Sequence, residues 1–283
     1  MTHVALASLS QPPIQKPITW VAYGRAAAEA GGAPEDAGKL VLVQNGGNIG
    51  FAAGNNVAIR YMMARGDGDF VWLLNNDTVV GPRALTHLVA RATEPDRPGI
   101  TGSTLRYYSV PDRVQALGGA SFNAWRALGT QLGAGEKFLP VPALRAKAIE
   151  QCMSYVIGAS MLVSRAFLAD VGLMEEDYFL YFEELDWAER GRRVAGQRRY
   201  GLGYAPESFV YHKVGASIGS ESRSLFVVRY LYVNQLRFMK RFYPRRLLLT
   251  RALLAMEALI AAKKRKWAEA RLLFSFVLMS VSV

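Results

Sequence analysis

The chain has 283 residues, and 51% of them are hydrophobic, which suffices for the core of one large domain or of one domain with an appendage. Its single cysteine, Cys152, excludes a disulfide framework and a cysteine-rich zinc site and fits a reducing compartment. The first residues lack a basic segment ahead of an apolar run, so we expect no signal peptide.

The net charge of +11 lies wholly in the C-terminal tail, residues 223–283. This tail has 13 Lys and Arg against two acidic residues, whereas residues 1–222 carry 21 charges of each sign. Its basic residues are interleaved with long apolar runs and form no polar face, so we expect no nucleic-acid binding. We predict an α/β domain over residues 1–222 and a basic amphipathic helical tail over residues 223–283.

The first predicted elements alternate strands with short helical segments. In chain order they are the end of a helix at 4–10, a strand at 18–23, one or two helical turns at 25–30, a loop at 31–38 and a strand at 40–43. A Gly/Asn loop, NGGNIGFAAGNN at 45–56, then leads into a helix that ends at Gly66. Glycines let backbone approach a ligand closely, and N–H groups at a helix start favour an anion, although most such loops are plain turns.

A long apolar run, 70–74, ends in three polar side chains within the segment VWLLNNDTVV. The run suits a strand covered on both faces, as in a parallel sheet, and its spacing from the strand at 40–43 is that of a strand–helix–strand crossover. In an open α/β sheet the ligand lies off the carboxyl ends of the strands. Asp77, beside Asn75 and Asn76, is placed there to hold a hard cation and a sugar or phosphate. The alternative is an Asx turn that closes the strand.

The middle of the chain is predicted to return to the sheet after a long connection. In order, we expect a helix at 82–92, a strand at 100–108, an irregular excursion over the cleft at 109–150 and a buried strand at 155–163. Gly158 interrupts the last strand. A glycine at such a position marks either the close approach of another group or simple packing.

Three carboxylates, Glu183, Glu184 and Asp186, crowd the start of a predicted helix that ends at Gly196. Acidic residues in a first turn are expected from the helix dipole, so capping is one explanation. Aromatic residues flank them in sequence, namely Tyr178, Phe179, Tyr181, Phe182 and Trp187. Carboxylates that aromatic rings shield from water have raised pKa values, which suit a general base.

The tail is helical in pattern, with apolar runs at 247–262 and 272–283. The first run is broken by Arg251 and Glu257, and the second is too short for the roughly 20 apolar residues that a membrane span needs. Basic amphipathic helices at a membrane surface fit this pattern better. The alternative is a helical pair packed on the domain.

Five segments in the same order resemble the inverting family 2 glycosyltransferases, most closely the rhamnosyltransferase-like branch that builds bacterial polysaccharides. They are NGGNIGFAAGNN (45–56), VWLLNNDTVV (71–80), GASMLV (158–163), YFLYFEELDWAER (178–190) and VYHKVGAS (210–217). The resemblance implies a GT-A fold, with a Rossmann-like, mostly parallel sheet flanked by helices and here a C-terminal helical basic extension. It also implies a nucleotide-diphosphate sugar donor, a divalent cation (Mg²⁺ or Mn²⁺) and a single displacement with inversion.

The resemblance assigns a cation site and a donor site. Asp77 falls on the metal-side carboxylate of the family's Asp-x-Asp, and Asn75 stands where the first Asp stands and would serve the nucleotide ribose. His212, which follows a predicted strand at 208–211 and on its own would more often be structural, matches a histidine near the metal and diphosphate. The remaining residues matched to nucleotide-sugar binding are Asn48, Gly50, Asn55 and Asn76.

The resemblance also assigns the base. Glu183 and Glu184 fall on the family's Glu-Asp pair, whose second member takes the proton from the acceptor. Glu184 is therefore the predicted base, one methylene longer than the usual Asp, while Glu183 and Asp186 support the site.

The N-terminus departs from the family pattern. The family opens with an apolar strand that ends in Tyr-Asn, whereas this chain is expected to begin inside the helix that follows. WVAYGR (20–25) aligns with a strand that ends in Val-Asp-Asn-Gly-Ser but lacks its nucleotide-binding Asp. One wall of the nucleotide site is therefore expected to be missing, and the apolar end at Val283 suggests truncation.

Two readings stay open. In the first, the chain is an active transferase acting on a saccharide or lipid-linked acceptor, held by its tail at an anionic membrane surface on the cytoplasmic side. In the second, it is a truncated or catalytically weak member that serves as a binding or scaffold subunit.

Overall fold

The computed structural model describes Leu6 and residues 17–194, 200–213 and 225–280. The strands are β1 (Trp20–Gly24), β2 (Leu40–Gln44), β3 (Phe70–Leu74), β4 (Thr78–Val80), β5 (Ile100–Tyr107), β6 (Val114–Leu117), β7 (Gly119–Asn123), β8 (Leu128–Gln131), β9 (Tyr155–Val156), β10 (Ser160–Ser164) and β11 (Leu202–His212). The helices are α1 (Arg25–Glu29), α2 (Phe51–Arg65), α3 (Ala84–Ala92), α4 (Ala143–Cys152), α5 (Arg165–Val171), α6 (Glu183–Arg193), α7 (Leu225–Phe242), α8 (Leu247–Lys263) and α9 (Trp267–Val277). The helix end predicted at 4–10 lies outside the described residues except for Leu6.

The main sheet has six strands, in the order β3-β10-β5-β11-β4 with β6 on β5. A parallel pair, β1 and β2, forms a second sheet, and β8-β7-β9 form a third. The sequence predicts the α/β class correctly. The strand directions differ from expectation, because among the pairs of the main sheet only β5 and β11 run parallel.

The strand β3 shows why the prediction of direction failed. It pairs antiparallel with β10, with Leu74 opposite Ser160, and ends the main sheet. A continuous apolar run indicates cover on both faces, but it carries no information about the direction of the neighbouring strand. The expected crossover from β2 to β3 is also wrong, because the two strands belong to different sheets in the described chain.

The Gly/Asn segment 45–56 is half loop and half helix. The helix α2 begins at Phe51, earlier than expected, and ends at Gly66 as predicted, with Gly66 in the left-handed conformation. Asn56 is fully buried in this helix. Its side chain donates to the Met174 carbonyl at 2.9 Å and accepts from the Met174 N–H at 3.1 Å, which ties α2 to the acidic segment.

Three other predictions change in detail. Residues 109–150, expected to be irregular, hold β6, β7, β8 and α4, whose short strands and glycines hide the alternation of a strand. The strand expected at 155–163 is two strands with a turn at 157–159. The strand β11 is much longer than 208–211, because an irregularity in its register between Ala205 and Phe209 accommodates Pro206.

The tail is helical, as predicted, and its first helix packs on the rest of the chain. Phe238 and Met239 of α7 are fully buried in a cluster with Tyr178 and Leu185. The helices α8 and α9 pack against each other and on α7 around Leu236, Leu254 and Leu273, which are among the buried side chains of that cluster. No helix within the described ranges is both long enough and apolar enough to cross a membrane.

Candidate active site

Asp77 lies in the turn that joins β3 to β4. Its carbonyl accepts from the Lys213 N–H at 3.0 Å, and the Thr78 hydroxyl donates to the Asn75 carbonyl at 2.7 Å. The antiparallel pairing of β4 with β11 sets His212 opposite Thr78. Two segments more than 130 residues apart in sequence are therefore brought together at this edge of the sheet.

The Asp77 and His212 side chains are in contact. Asp77 Oδ1 lies 3.1 Å from His212 Nε2, and His212 Nδ1 lies 3.0 Å from the Gln115 side-chain carbonyl oxygen. Since a carbonyl oxygen only accepts, Nδ1 carries a proton, and this fixes the ring orientation. Nε2 faces the carboxylate, and the two groups attract each other through a proton on Nε2 or through a cation bound between them.

This pair could hold a divalent cation whose remaining ligands come from the substrate and from water. A carboxylate and an imidazole are ligands for such an ion, and Mg²⁺ is usually held by one or two carboxylates together with substrate phosphates and water. The described part of the chain contains no group of three or more His, Cys, Asp or Glu residues that could hold a metal. A cation bound here would therefore need ligands that the donor supplies.

Glu184 stands at the start of α6, half-buried, and its carboxylate is fixed by the backbone. The Gly158 N–H donates to Glu184 Oε1 at 3.1 Å. A Cβ atom at Gly158 would lie 2.6 Å from that oxygen and 2.8 Å from the Phe51 ring. Gly158 is therefore the close-approach glycine that the sequence left undecided, and the group that approaches it is the predicted base.

The neighbouring Glu183 is more deeply buried than Glu184. Its side chain is 2% exposed, and its Oε2 is buried without a hydrogen-bond partner among the described residues. Burial, and then the adjacent Glu184 carboxylate, raise the pKa of Glu183 well above its usual range. Burial also raises the pKa of Glu184. We assign the proton of this pair to Glu183, which leaves the more accessible Glu184 as the ionised member.

Asp186 is a fully buried ion-pair partner. Its Oδ1 accepts from Arg190 at 2.7 Å, and its Oδ2 accepts from Arg241 of α7 at 3.0 Å and from the Tyr178 hydroxyl at 3.3 Å. These contacts fix α6 to α7, and the supporting role of Asp186 stays a prediction.

A main-chain hydrogen bond links the turn that carries Asp77 to the segment that holds Glu184. The Asn75 N–H donates to the Ala159 carbonyl at 3.2 Å, and Ala159 follows the Gly158 that holds Glu184. On the other side of Gly158 lies the ring of Phe51, the first residue of α2. The loop after β2, the turn after β3 and the start of α6 therefore meet.

The five residues matched to the nucleotide lie on that loop, on α2 and on the turn after β3. Gly50 has a φ of 87°, and a Cβ there would lie 2.5 Å from the Phe179 carbonyl oxygen, so this position requires glycine. The Asn48 side chain accepts from the Gly50 N–H at 3.1 Å, and the Asn55 amide donates to the Phe51 carbonyl at 2.8 Å. Asn75 is half-buried and Asn76 is exposed.

Sequence reasoning missed Asn234, a residue of the tail. Tyr181 and Phe182, just before α6, have φ values of 70° and 76°, a conformation that costs such residues of the order of 1–3 kcal/mol each. Asn234 of α7 is 1% exposed, and its amide donates to the Leu180 carbonyl at 2.8 Å and the Tyr181 carbonyl at 3.2 Å. Asn234 of the tail therefore stabilises the strained turn that precedes Glu183 and Glu184. The one signal of this role in the sequence is an Asn within an apolar helical pattern.

We expect Glu183→Gln to be nearly as active as the parent enzyme, because a neutral amide copies a protonated carboxyl. Glu184 must be ionised to accept a proton, so activity should fall as the pH is lowered through its raised pKa. The acid limb of the kcat profile should therefore lie above about pH 4.3, the ordinary value for Glu. Profiles of the parent and Glu183→Gln should show this limb at the same pH.

If Glu183 were ionised in the working enzyme, its replacement would remove a negative neighbour and move the acid limb to lower pH. A displaced limb, or a loss of activity as large as that of a Glu184 variant, would contradict this assignment of the proton.

Comparison with known proteins identifies the family of the chain. Residues 24–229 match the family described as "Glycosyltransferase like family 2", and the chain therefore belongs to that family. The resemblance inferred from the five segments is confirmed. The α/β architecture with C-terminal helices agrees with the GT-A fold expected of such proteins.

Two curated relatives match parts of the chain. A low-salt glycan biosynthesis hexosyltransferase, Agl10 of Haloferax volcanii, is 24% identical over 53% of this chain and 46% of its own length. An N-acetylglucosaminyl-diphospho-decaprenol L-rhamnosyltransferase of Mycobacterium tuberculosis is 25% identical over 65% of this chain and 62% of its own. The chain thus matches between about half and three-fifths of the length of these relatives.

Among solved structures, GalNAc-T7 with UDP, GalNAc and Mn²⁺ is similar over 69% of this chain and 37% of its own, at 16% identity and a TM-score of 0.45.

Proposed function

We propose that this glycosyltransferase moves a sugar from a nucleotide-diphosphate sugar to an acceptor hydroxyl with inversion, using a divalent cation and Glu184 as the base. The acceptor class that we propose is a saccharide or lipid-linked glycan, as in the name of the Mycobacterium tuberculosis relative. The observation that carries the proposal is the convergence of the Asp77–His212 pair and Glu184 through Asn75, Ala159 and Gly158.

In this mechanism Asp77 and His212 would hold the cation, either Mg²⁺ or Mn²⁺, against the donor diphosphate. When bound, the cation neutralises the charge that develops on the leaving diphosphate. Glu184 accepts the proton of the acceptor hydroxyl while that oxygen forms a bond to the anomeric carbon and the bond to the diphosphate breaks. A single attack without a covalent intermediate inverts the configuration.

The other chain residues bind and orient the donor. Asn48, Gly50 and Asn55 are proposed to line the nucleotide, and Asn75 and Asn76 to bind the ribose and the sugar phosphate. The Gly158 N–H holds Glu184 in place, and Asn234 holds the turn before it. Orientation of this kind lowers the activation free energy, because the reacting groups are already positioned when the donor binds.

A panel of nucleotide-diphosphate sugars tests the donor class. Thermal stabilisation by one nucleotide and sugar combination, present only with Mg²⁺ or Mn²⁺, is the expected result. Equal stabilisation with and without metal would argue against the cation, and no stabilisation by any donor would argue against the transferase. Donor binding without turnover would favour the second reading, a binding or scaffold subunit.

We also propose that the tail holds the enzyme at an anionic membrane surface on the cytoplasmic side. The last residue of α8 and the turn that follows it carry Lys263, Lys264, Arg265 and Lys266, all of them exposed. Exposed apolar side chains lie beside this turn, including Leu259 (64%) and Trp267 (60%). Anionic lipid attracts such charges by about 1 kcal/mol each near the surface, and an indole suits the headgroup region.

Replacement of Lys263, Lys264 and Lys266 by Glu should abolish flotation with anionic liposomes, while the fold is kept because all three side chains are exposed. Binding by the parent protein should weaken as salt is added. The matched control replaces Arg83, Lys137 and Lys147, three exposed basic residues elsewhere, and should float normally. If the parent protein ignores anionic vesicles at low salt, the membrane proposal is wrong.

A further inference from the structure

A cavity of about 590 Å³ lies beside Glu184 and extends to the tail helices. Four parts of the chain line it: the segment from Tyr181 to Leu185, the β7–β8 hairpin, the residues Tyr155 and Ile157 at β9, and the helices α7 and α8. Its size is typical of a site for a small organic ligand. Glu184, the predicted base, therefore lines a cavity whose wall is formed in part by the tail helices α7 and α8.

The wall formed by α8 is apolar and continues onto the surface. Leu253, Met256 and Ile260 line the cavity at helical spacing, and the last two side chains are 57% and 50% exposed. From Leu253 to Ile260 the helix rises about 10 Å. A saccharide offers only the C–H face of its ring to such side chains, whereas a hydrocarbon chain can cover an apolar stripe of this length.

The wall formed by the β7–β8 hairpin supplies a cation. Arg126 lines the cavity with an exposed side chain, and the carboxylates in the cavity lining are Glu184 and Glu257. The one carboxylate that α8 contributes, Glu257, accepts a hydrogen bond from Tyr232. Arg126 is therefore placed to bind a phosphate group that enters the cavity.

We infer that this cavity binds the acceptor as a lipid phosphate, with its hydrocarbon chain along Met256 and Ile260 of α8, its phosphate at Arg126 and its acceptor group toward Glu184. This inference rests on the proposed transferase function and deepens it, since it names the acceptor class and the residues that select it. The tail then has two tasks, because the helix that lies at the lipid surface also forms the acceptor site.

Binding of farnesyl diphosphate by the full-length protein, measured by titration calorimetry without detergent, tests this inference. The parent protein should bind it more tightly than inorganic diphosphate or farnesol, because each of these lacks one half of the probe. The double variant Met256→Asp, Ile260→Asp should bind the probe at least tenfold more weakly. Arg126→Gln should weaken binding of farnesyl diphosphate and leave binding of farnesol unchanged.

The matched control is Leu248→Asp, which adds a charge on the same helix at a side chain that is 81% exposed and lies outside the cavity lining. It should keep the affinity of the parent protein within about twofold. Equal loss in Leu248→Asp and in the double variant, or no loss in the double variant, would overturn the inference. Thermal stabilisation by a nucleotide sugar and metal should be the same as in the parent protein for the double variant, for Arg126→Gln and for Leu248→Asp. This result would show that each variant is folded.

Two failures can be told apart by that donor measurement. If the parent protein binds a nucleotide sugar but not farnesyl diphosphate, the lipid acceptor site is wrong and the transferase proposal stands. If it binds farnesyl diphosphate but no nucleotide sugar, the cavity holds lipid phosphates, but its assignment as an acceptor site fails together with the proposed function.

Discussion

Asp77→Asn is expected to abolish metal-dependent binding of the donor while it leaves the fold intact. The amide has the shape of the carboxylate and can still contact His212, whose Nε2 lies 3.1 Å from Asp77 Oδ1. It lacks the charge that a hard cation requires, and the described residues near it offer no third acidic or imidazole ligand. Titration of the donor with and without Mn²⁺ or Mg²⁺ measures the effect.

The control for this variant is Asp67→Asn, an acidic residue that is paired with Arg65 and is 56% exposed. It should bind the donor as the parent protein does. Unchanged donor affinity in Asp77→Asn, with metal present, would remove Asp77 from the cation site.

Glu184→Gln is expected to lower turnover at least about a hundredfold, the usual contribution of general-base catalysis, and to leave donor affinity largely unchanged. The amide can still accept the hydrogen bond from the Gly158 N–H but cannot take a proton from the acceptor. Glu183→Gln, one residue away, is the matched control and should remain active. Steady-state rates and donor titrations on the same preparations separate the two effects.

Asp186→Asn provides a further comparison. Asp186 accepts from Arg190 and Arg241 in a buried position, so its replacement should mainly cost stability, about 3–5 kcal/mol for a broken buried ion pair. A lower melting temperature with activity retained in the folded fraction is expected. If Glu184→Gln were near the parent rate and Asp186→Asn were folded but inactive, the base would have been assigned to the wrong carboxylate.

The local conformation is predicted best where the signal lies within a few adjacent residues. The apolar run at 70–74 with Asn75, Asn76 and Asp77 behind it indicates a strand end with a polar site, and the structure has β3 and a turn there. Gly158 inside an apolar strand pattern leaves close approach and simple packing open, and the structure shows Glu184 as the approaching group. In both cases a few adjacent residues determine the local conformation.

Features that depend on distant parts of the chain were not predictable in the same way. His212 lies beside Asp77 because β11 pairs with β4, and β11 is extended across Pro206 by an irregular register that no short pattern reveals. Gln115, which orients the imidazole, lies in a region expected to be irregular. The direction of the neighbours of β3 depends on the topology and not on its apolar run.

The tail illustrates the same limit. Its charge and apolar runs predict amphipathic helices, and residues 225–280, the described part of the tail, form three helices. That Asn234 holds the turn before the glutamates, and that Leu253 and Met256 line the cavity beside Glu184, follows only from packing. The boundary at residue 222 stays a prediction, but α7 contributes to the same core as Tyr178 and Leu185.

The most direct test of the central proposal is release of nucleoside diphosphate from a nucleotide-sugar panel by the full-length protein, with and without Mg²⁺ or Mn²⁺. We predict turnover of one donor that requires the cation, is lost in Glu184→Gln, and transfers the sugar with inverted anomeric configuration as read by NMR. Metal-dependent binding of a donor without turnover, with Glu184→Gln indistinguishable from the parent protein, would contradict the proposal and favour a binding or scaffold subunit.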